Sequence, residues 1–216
     1  RIRSLRDKKH RKAERQFLAE GLRILTEAHE AGHLPRIIVS TAEGAAHPLA
    51  AKLIAAVEAA GGEAIETDRD ILAKLSGKEN PQTVLGVFDE LDTRLDSVDR
   101  SASDIWIVAQ ALRDPGNLGT MLRTADAVGA GGVILVDDCV DPFSVEAVRA
   151  SMGALFTQRI AKAGWDDFLA WLRSGPGQLV GTSLNSSEDY QAVRYTAPTF
   201  ILAGNRIVTN RYVDPL

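Results

Sequence analysis

The stretch "DPGNLGTMLRTADAVG", Asp114 to Gly129, holds the residue types in this chain best suited to chemistry. A Pro-Gly turn, an amide, a glycine and an arginine come in quick succession, and Leu118, Met121, Leu122, Ala125 and Val128 then recur at helical spacing. Two readings fit. In the first, Asn117 is the N-cap of an ordinary helix, Gly119 permits close packing, and Arg123 is a solvated partner of Asp126. In the second, the helix N-terminus turns its backbone N–H groups toward an anion, and Arg123, less than two turns on, reaches the same phosphate. Spacing alone leaves both open.

Other chemistries find little support. The glycines of "VGAGGVILV" precede a strand, whereas a dinucleotide fingerprint needs them between strand and helix. There is no Gly-x-Ser-x-Gly elbow, no Walker loop and no Cys-x-x-Cys. The four histidines, His10, His29, His33 and His47, lie early in the chain without cysteines or carboxylates at ligand spacing, so no metal site is expected. Cys139 is the only cysteine, which excludes an internal disulfide and suits a reducing, cytoplasmic setting.

The elements that must position this stretch follow from apolar periodicity. Phe17, Leu18, Leu22, Leu25 and Ala28 predict a helix over Ala13–Ala31, closed by Gly32. A strand "RIIVS", a helix Pro48–Ala60, a strand "EAIET", a helix "RDILAKLS" and a strand "TVLGVFD" follow, which makes 1–90 a small α/β domain. Residues 91–104, within the Ser- and Asp-rich "ELDTRLDSVDRSASD", read as a linker. From 105 to 216 the buried-type strands "IWIVAQ", "GGVILVD", "LFTQRIA", "QLVGTS" and "TFILAG" alternate with helices at Leu118–Val128, Ser144–Ser151 and Trp165–Leu172. Near-continuous apolar strands of this kind indicate a parallel sheet covered on both faces, whose ligands sit beyond the strand carboxyl ends. The loops of interest therefore come after Gln110, Asp137, Ser183 and Gly204.

Charge is unevenly spread over the 216 residues. Residues 1–15, "RIRSLRDKKHRKAER", hold eight Lys or Arg against two carboxylates, a net +6 on a remainder of −10, which together give the overall −4. A basic segment on an acidic body suits a local polyanion contact, although a solvated helix face of mixed charge is the plainer reading. No apolar run approaches the length of a membrane span, and no secretory signal is visible.

Asp114 to Phe156, "DPGNLGTMLRTADAVGAGGVILVDDCVDPFSVEAVRASMGALF", closely resembles the first motif and following segment of the SpoU/TrmH-type RNA 2′-O-ribose methyltransferases of the SPOUT superfamily. "RKAERQFLAEGLRILTEA" and "NPQTVLGVFDE" resemble the ribosomal-protein-like RNA-binding domain that often precedes that catalytic domain. The resemblance implies a trefoil-knotted α/β fold, a homodimer, S-adenosyl-L-methionine as cofactor, and methyl transfer to structured RNA, ribosomal RNA ahead of transfer RNA. It implies Asn117 and Arg123 as the catalytic pair, with Arg123 near the reacting ribose and its phosphate. Thr182 and Ser183 of "GTSLN" and Leu202 and Gly204 of "ILAG" match two of the cofactor loops; a third has no counterpart. Arg6, Lys8, Lys9, Arg11 and Lys12 of the basic segment then become RNA-binding candidates. Because arginine ordinarily keeps its proton above pH ~12, orienting phosphate and offsetting charge asks less of Arg123 than acting as the base.

After Asn205 the chain departs from the family. Arg206 stands where the family has a glutamate, and the family's final Pro-Met strand end, Ser-Leu-Asn and long helix are missing. A segment absent between Asn205 and Arg206 is the preferred expectation, since a knot without its last elements leaves its sheet uncovered; a truly incomplete cofactor site is the other. A catalytically inactive RNA-binding or ribosome-associated protein is the alternative function.

Overall fold

The computed structural model describes residues 1–182, 189 and 191–204. The chain forms two compact units, one of residues 1–91 with 141–157, the other of 92–140 with 158 onward.

The first unit opens with a 3-10 turn (Ile2–Arg6), helix α1 (Lys8–Glu14), strand β1 (Gln16–Glu20) and helix α2 (Leu22–Glu30). The single helix expected over Ala13–Ala31 is thus a helix end, a strand and a second helix. Arg15 takes a left-handed conformation (φ 52°) that ends α1. Phe17, Leu18 and Ala19 are then buried in succession, which one face of a helix does not allow. They pair antiparallel with strand β4 (Val84–Asp89), Phe17 opposite Phe88. Between lie β2 (Ile37–Ser40), the short α3 (Ala42–Ala45), α4 (Pro48–Ala59), β3 (Glu63–Glu66) and α5 (Arg69–Ser76). The sheet order is β1-β4-β2-β3, with only β2 and β3 parallel.

Residues 141–157 complete this unit with α7 (Val145–Ser151) and the short α8 (Ala154–Thr157). Leu155 and Phe156, expected to start a strand, lie on α8 because both are buried in the first unit; the strand begins only at Arg159. Phe143 stacks on Phe17 at 4.9 Å and Phe156 meets Phe88 at 4.8 Å between ring centroids. Such aromatic pairs add about 0.5–1.5 kcal/mol each beyond the area they bury. The Arg11 guanidinium, 4% exposed, pairs with Asp141 at 2.8 Å and donates to the carbonyls of Leu5 (3.0 Å) and Arg6 (2.7 Å).

Among the described residues, the second unit holds an all-parallel five-stranded sheet in the order β7-β6-β5-β9-β8. The strands are β5 (Ile105–Gln110), β6 (Gly132–Val136), β7 (Arg159–Ala163), β8 (Gln178–Gly181) and β9 (Thr199–Gly204). Helix α6 (Pro115–Ala127) packs against β5 and β6. Helix α9 (Trp165–Arg173) contributes Phe168 and Leu172 to a core with Trp106, Val108, Ile134, Val136 and Phe200.

The expected linker packs as part of this unit. It forms two 3-10 turns (Leu95–Ser97 and Arg100–Ala102), and the Arg100 guanidinium lies 3.9 Å from the Trp171 ring centroid. Arg100 also donates to the carbonyls of Leu172 and Pro176, both at 3.1 Å, at the end of α9. Asp92 accepts from Arg94 and Arg159, and the Arg94 hydrogen bond, the largest influence, holds its carboxyl far below the usual carboxylate range.

Replacing Asp141 with alanine leaves the Arg11 guanidinium buried without its counter-charge. We expect a loss of about 3–5 kcal/mol in urea unfolding; a loss under ~1 kcal/mol would show that the pair does not hold 141–157 in place. The depressed Asp92 carboxyl stabilises the fold above its unfolded pKa, and that contribution disappears as pH falls through the lower folded value. Asp92→Asn should therefore lower the thermal midpoint near neutrality and flatten its fall in acid, whereas a profile parallel to that of the parent protein would refute the assignment.

Candidate active site

Because all five strands of the second sheet run parallel, their carboxyl ends emerge along one edge, where the residue after each strand can meet a ligand. From β5 the chain moves through β6 to β7 on one side, while β9 and β8 occupy the other. The strand order therefore reverses between β5 and β9, the position where open α/β sheets take ligands.

Gln110 ends β5 at this point and is 3% exposed, the one polar side chain of an otherwise apolar strand. Its Nε2 donates to Asp137 Oδ2 at 2.9 Å, which fixes the orientation of the amide. Asp137, left-handed at φ 63° just after β6, accepts the Trp165 N–H at 3.0 Å through its other oxygen and so ties the start of α9 to the same edge. Among the described residues, Gln110 Oε1 is buried without a hydrogen-bond partner. A buried acceptor left empty costs about 1–3 kcal/mol, which a donor on a bound ligand would offset.

The loop after Gln110 turns through Ala111 (φ 51°) and reaches α6. The cap of this helix is Asp114, whose Oδ1 accepts the Asn117 N–H at 2.6 Å, and Pro115 fills the first helical position. Asn117 is therefore in the first turn and not at the N-cap expected from the apolar spacing. The signal for the earlier start was present as Asp-Pro, a cap followed by the residue best suited to the first position. Freed from capping, the Asn117 side chain is exposed.

Arg123 is also exposed, and its Nη2 donates to Thr120 Oγ1 at 3.2 Å. Helical side chains lean toward the N-terminus, so this bond carries the guanidinium back along α6, toward the turn that holds Asn117. Thr120 in turn donates to the Gly116 carbonyl at 3.0 Å. Asp126 accepts from Gln158 Nε2 at 3.1 Å through Oδ1.

On the other side of β5, Thr182 donates through both its N–H (3.0 Å) and its Oγ1 (3.1 Å) to the Leu202 carbonyl. Gly204 pairs with Gln110, and a Cβ there would stand 2.7 Å from the Gln110 carbonyl oxygen, so only glycine lets the strands approach. Thr182, Leu202 and Gly204 thus converge at the ends of β8 and β9, beside the orphaned acceptor. Ser183, and the chain from Asn205 onward, lie outside the described residues.

The RNA-binding candidates belong to the first unit. Arg6, Lys8, Lys9 and Lys12 are exposed. Arg11 does not belong with them: it is 3% exposed, and the Leu5, Arg6 and Asp141 oxygens occupy its guanidinium. Among the described residues no group of His, Cys, Asp and Glu is arranged to hold a metal ion, and no helix is long and apolar enough to cross a membrane. Burial pushes the Cys139 thiol up, which is the behaviour of a packing residue and not of a nucleophile.

Asp114→Ala removes the cap that fixes the first turn of α6. A loss of about 0.5–2 kcal/mol in denaturant unfolding is expected, with faster amide exchange confined to the start of α6; unchanged exchange there would refute the capping role.

The chain matches two families, the MRM3-like substrate binding domain over residues 1–86 and the SpoU rRNA Methylase family over residues 104–205. An AdoMet-bound rRNA methyltransferase from Sinorhizobium meliloti is 36% identical, with 95% of this chain and 77% of that one covered at a TM-score of 0.86. The SpoU methyltransferase AviRb from Streptomyces viridochromogenes, solved with AdoMet, is 26% identical over 96% of this chain and 80% of its own, with a TM-score of 0.84. The Bacillus subtilis 23S rRNA (guanosine(2553)-2′-O)-methyltransferase RlmP is 26% identical over 93% of this chain and 76% of that protein. With its parallel sheet, its Asn117–Arg123 helix and these likenesses along most of its length, the chain belongs to the SpoU family of rRNA methyltransferases.

Proposed function

We propose that this protein transfers a methyl group from S-adenosylmethionine to a ribose 2′-hydroxyl of structured RNA, ribosomal RNA before transfer RNA. The observation that carries the reading is the start of α6. A helix capped by Asp114 presents Asn117 and Arg123 to solvent next to the point where the strand order reverses. When bound, S-adenosylmethionine supplies a methyl carbon on a positively charged sulfur. Its hydroxyl and ammonium groups are donors of the kind that the buried Gln110 Oε1 lacks among the described residues, so the residues here suit it. Thr182, Leu202 and Gly204, together with Ser183, would hold it.

The protein's own task is alignment. Arg123 binds the phosphate beside the target ribose and offsets negative charge as the 2′-oxygen takes the methyl group and releases its proton to water, and its bond to Thr120 limits the rotamers it must give up. Asn117 holds the ribose or the loop on the first turn. Lys8, Lys9 and Lys12 contact RNA backbone, through charge and shape more than through base edges. The same reading includes a trefoil knot, a homodimer and a cytoplasmic location, all on the resemblance alone.

The test separates binding from chemistry. Arg123→Ala should lower methyl incorporation from labelled S-adenosylmethionine into ribosomal RNA by at least about 100-fold, while RNA affinity changes far less. Undiminished turnover would overturn the role. S-adenosylmethionine should also raise the thermal midpoint of the parent protein, as any ligand of the folded state does; no shift at saturating concentration would favour an inactive RNA-binding protein.

A further inference from the structure

A second constellation lies in the first unit, around a carboxylate that the reading above does not use. Glu20, at the end of β1, has a side chain only 6% exposed. Its Oε1 accepts the backbone N–H of Gln82 at 2.9 Å. Its Oε2 faces two cations, Arg149 Nη2 at 3.1 Å and Lys78 Nζ at 3.5 Å. One cation neutralises one carboxylate, so the second is surplus. Both are partly open to solvent, Arg149 at 40% and Lys78 at 31%.

A third cation lies against Gly77, the residue before Lys78. Gly77 ends α5 in the left-handed conformation (φ 72°), and the Arg6 guanidinium rests against it. A Cβ on Gly77 would overlap Arg6 Cζ and displace the group. Arg6 itself is exposed. Of these three cations, one lies against the glycine that precedes Lys78 and two face one buried negative charge. Two of them are already oriented by it, so binding an anion costs less side-chain entropy than on a surface of free lysines and arginines.

We propose that Arg6, Lys78 and Arg149 form a phosphate-binding patch for the RNA backbone, with Glu20 as the positioning residue that holds Lys78 and Arg149. The proposal rests on the RNA substrate inferred above. It adds a contributor from an unexpected part of the sequence: Arg149 is on α7, in the span that matches the methylase family and outside the 1–86 span that matches the substrate-binding domain. RNA backbone is favoured because the donors are cationic and spread over three elements, as a chain of phosphates requires.

The experiment measures the affinity of the full chain for a fluorescein-labelled RNA hairpin over a range of potassium chloride concentrations. Removing one cation–phosphate interaction makes the log–log salt slope shallower by about 1, so Lys78→Gln and Arg6→Gln should each flatten it by that amount and bind several-fold more weakly at low salt. Arg149→Lys, which keeps the charge, should retain the slope, and Arg149→Gln should flatten it. Circular dichroism and the thermal midpoint check that each variant is folded. Lys78→Gln and Arg6→Gln proteins that keep the parent midpoint and the parent slope overturn the patch. Methyl incorporation is read separately with the same proteins. Methyl transfer with unchanged slopes removes the patch and leaves the function, whereas shifted slopes without methyl transfer in the parent protein do the reverse.

Discussion

Pairing of β5 with β6 on one side and β9 on the other is the constraint on which the second unit depends. Both pairings are parallel, in register along the strand, and they end with Gln110 opposite Val136 and Gly204. Parallel pairing sends every carboxyl end to the same edge, so the start of α6 and the ends of β8 and β9 converge without any of them needing affinity for the others. The close approach of Gly204 to the Gln110 carbonyl shows how little room this register leaves. It also accounts for the buried amide. Gln110 stands at the last position of a central strand, and among the described residues Asp137 satisfies only one of its two polar atoms.

The first unit depends on a different kind of contact. Residues 141–157 lie between β6 and β7 in the chain, yet they complete the core of residues 1–91. Apolar burial supplies the attraction through Phe17, Phe88, Phe143 and Phe156. The ion pairs Arg11–Asp141 and Arg149–Glu20 supply direction, because a buried charge tolerates few geometries. One segment of sequence is therefore read as catalytic-domain material and built into the other unit.

Basic residues near the N-terminus are accordingly of two kinds. Lys8, Lys9 and Lys12 face solvent and remain available to a polyanion, whereas Arg11, in the same helix, is an internal strut. Net charge over a short window does not separate them. A guanidinium and an ammonium count alike in the sequence; what sets Arg11 apart is the Asp141 carboxylate, 130 residues away, together with the Leu5 and Arg6 carbonyls.

Local pattern determined much of this protein. The apolar strands at 105–110 and 199–204, the helix at 69–76 and the parallel class of the second sheet were all legible, because burial on both faces demands unbroken apolar runs and solvent-exposed helix faces demand periodic ones. The helix that carries Asn117 and Arg123 was legible too, from its apolar spacing. Tertiary structure alone decided that Phe17 and Leu18 form a strand, since five apolar residues at helical spacing fit a strand followed by a helix equally well until β4 is beside them. It alone buried Arg11, assigned 141–157 to the first unit and, among the described residues, left Gln110 Oε1 without a partner. The physical reason is common to all four. Spacing along the chain reports which face of an element is apolar, but the partner that covers the face comes from a distant part of the sequence, and only folding brings it there.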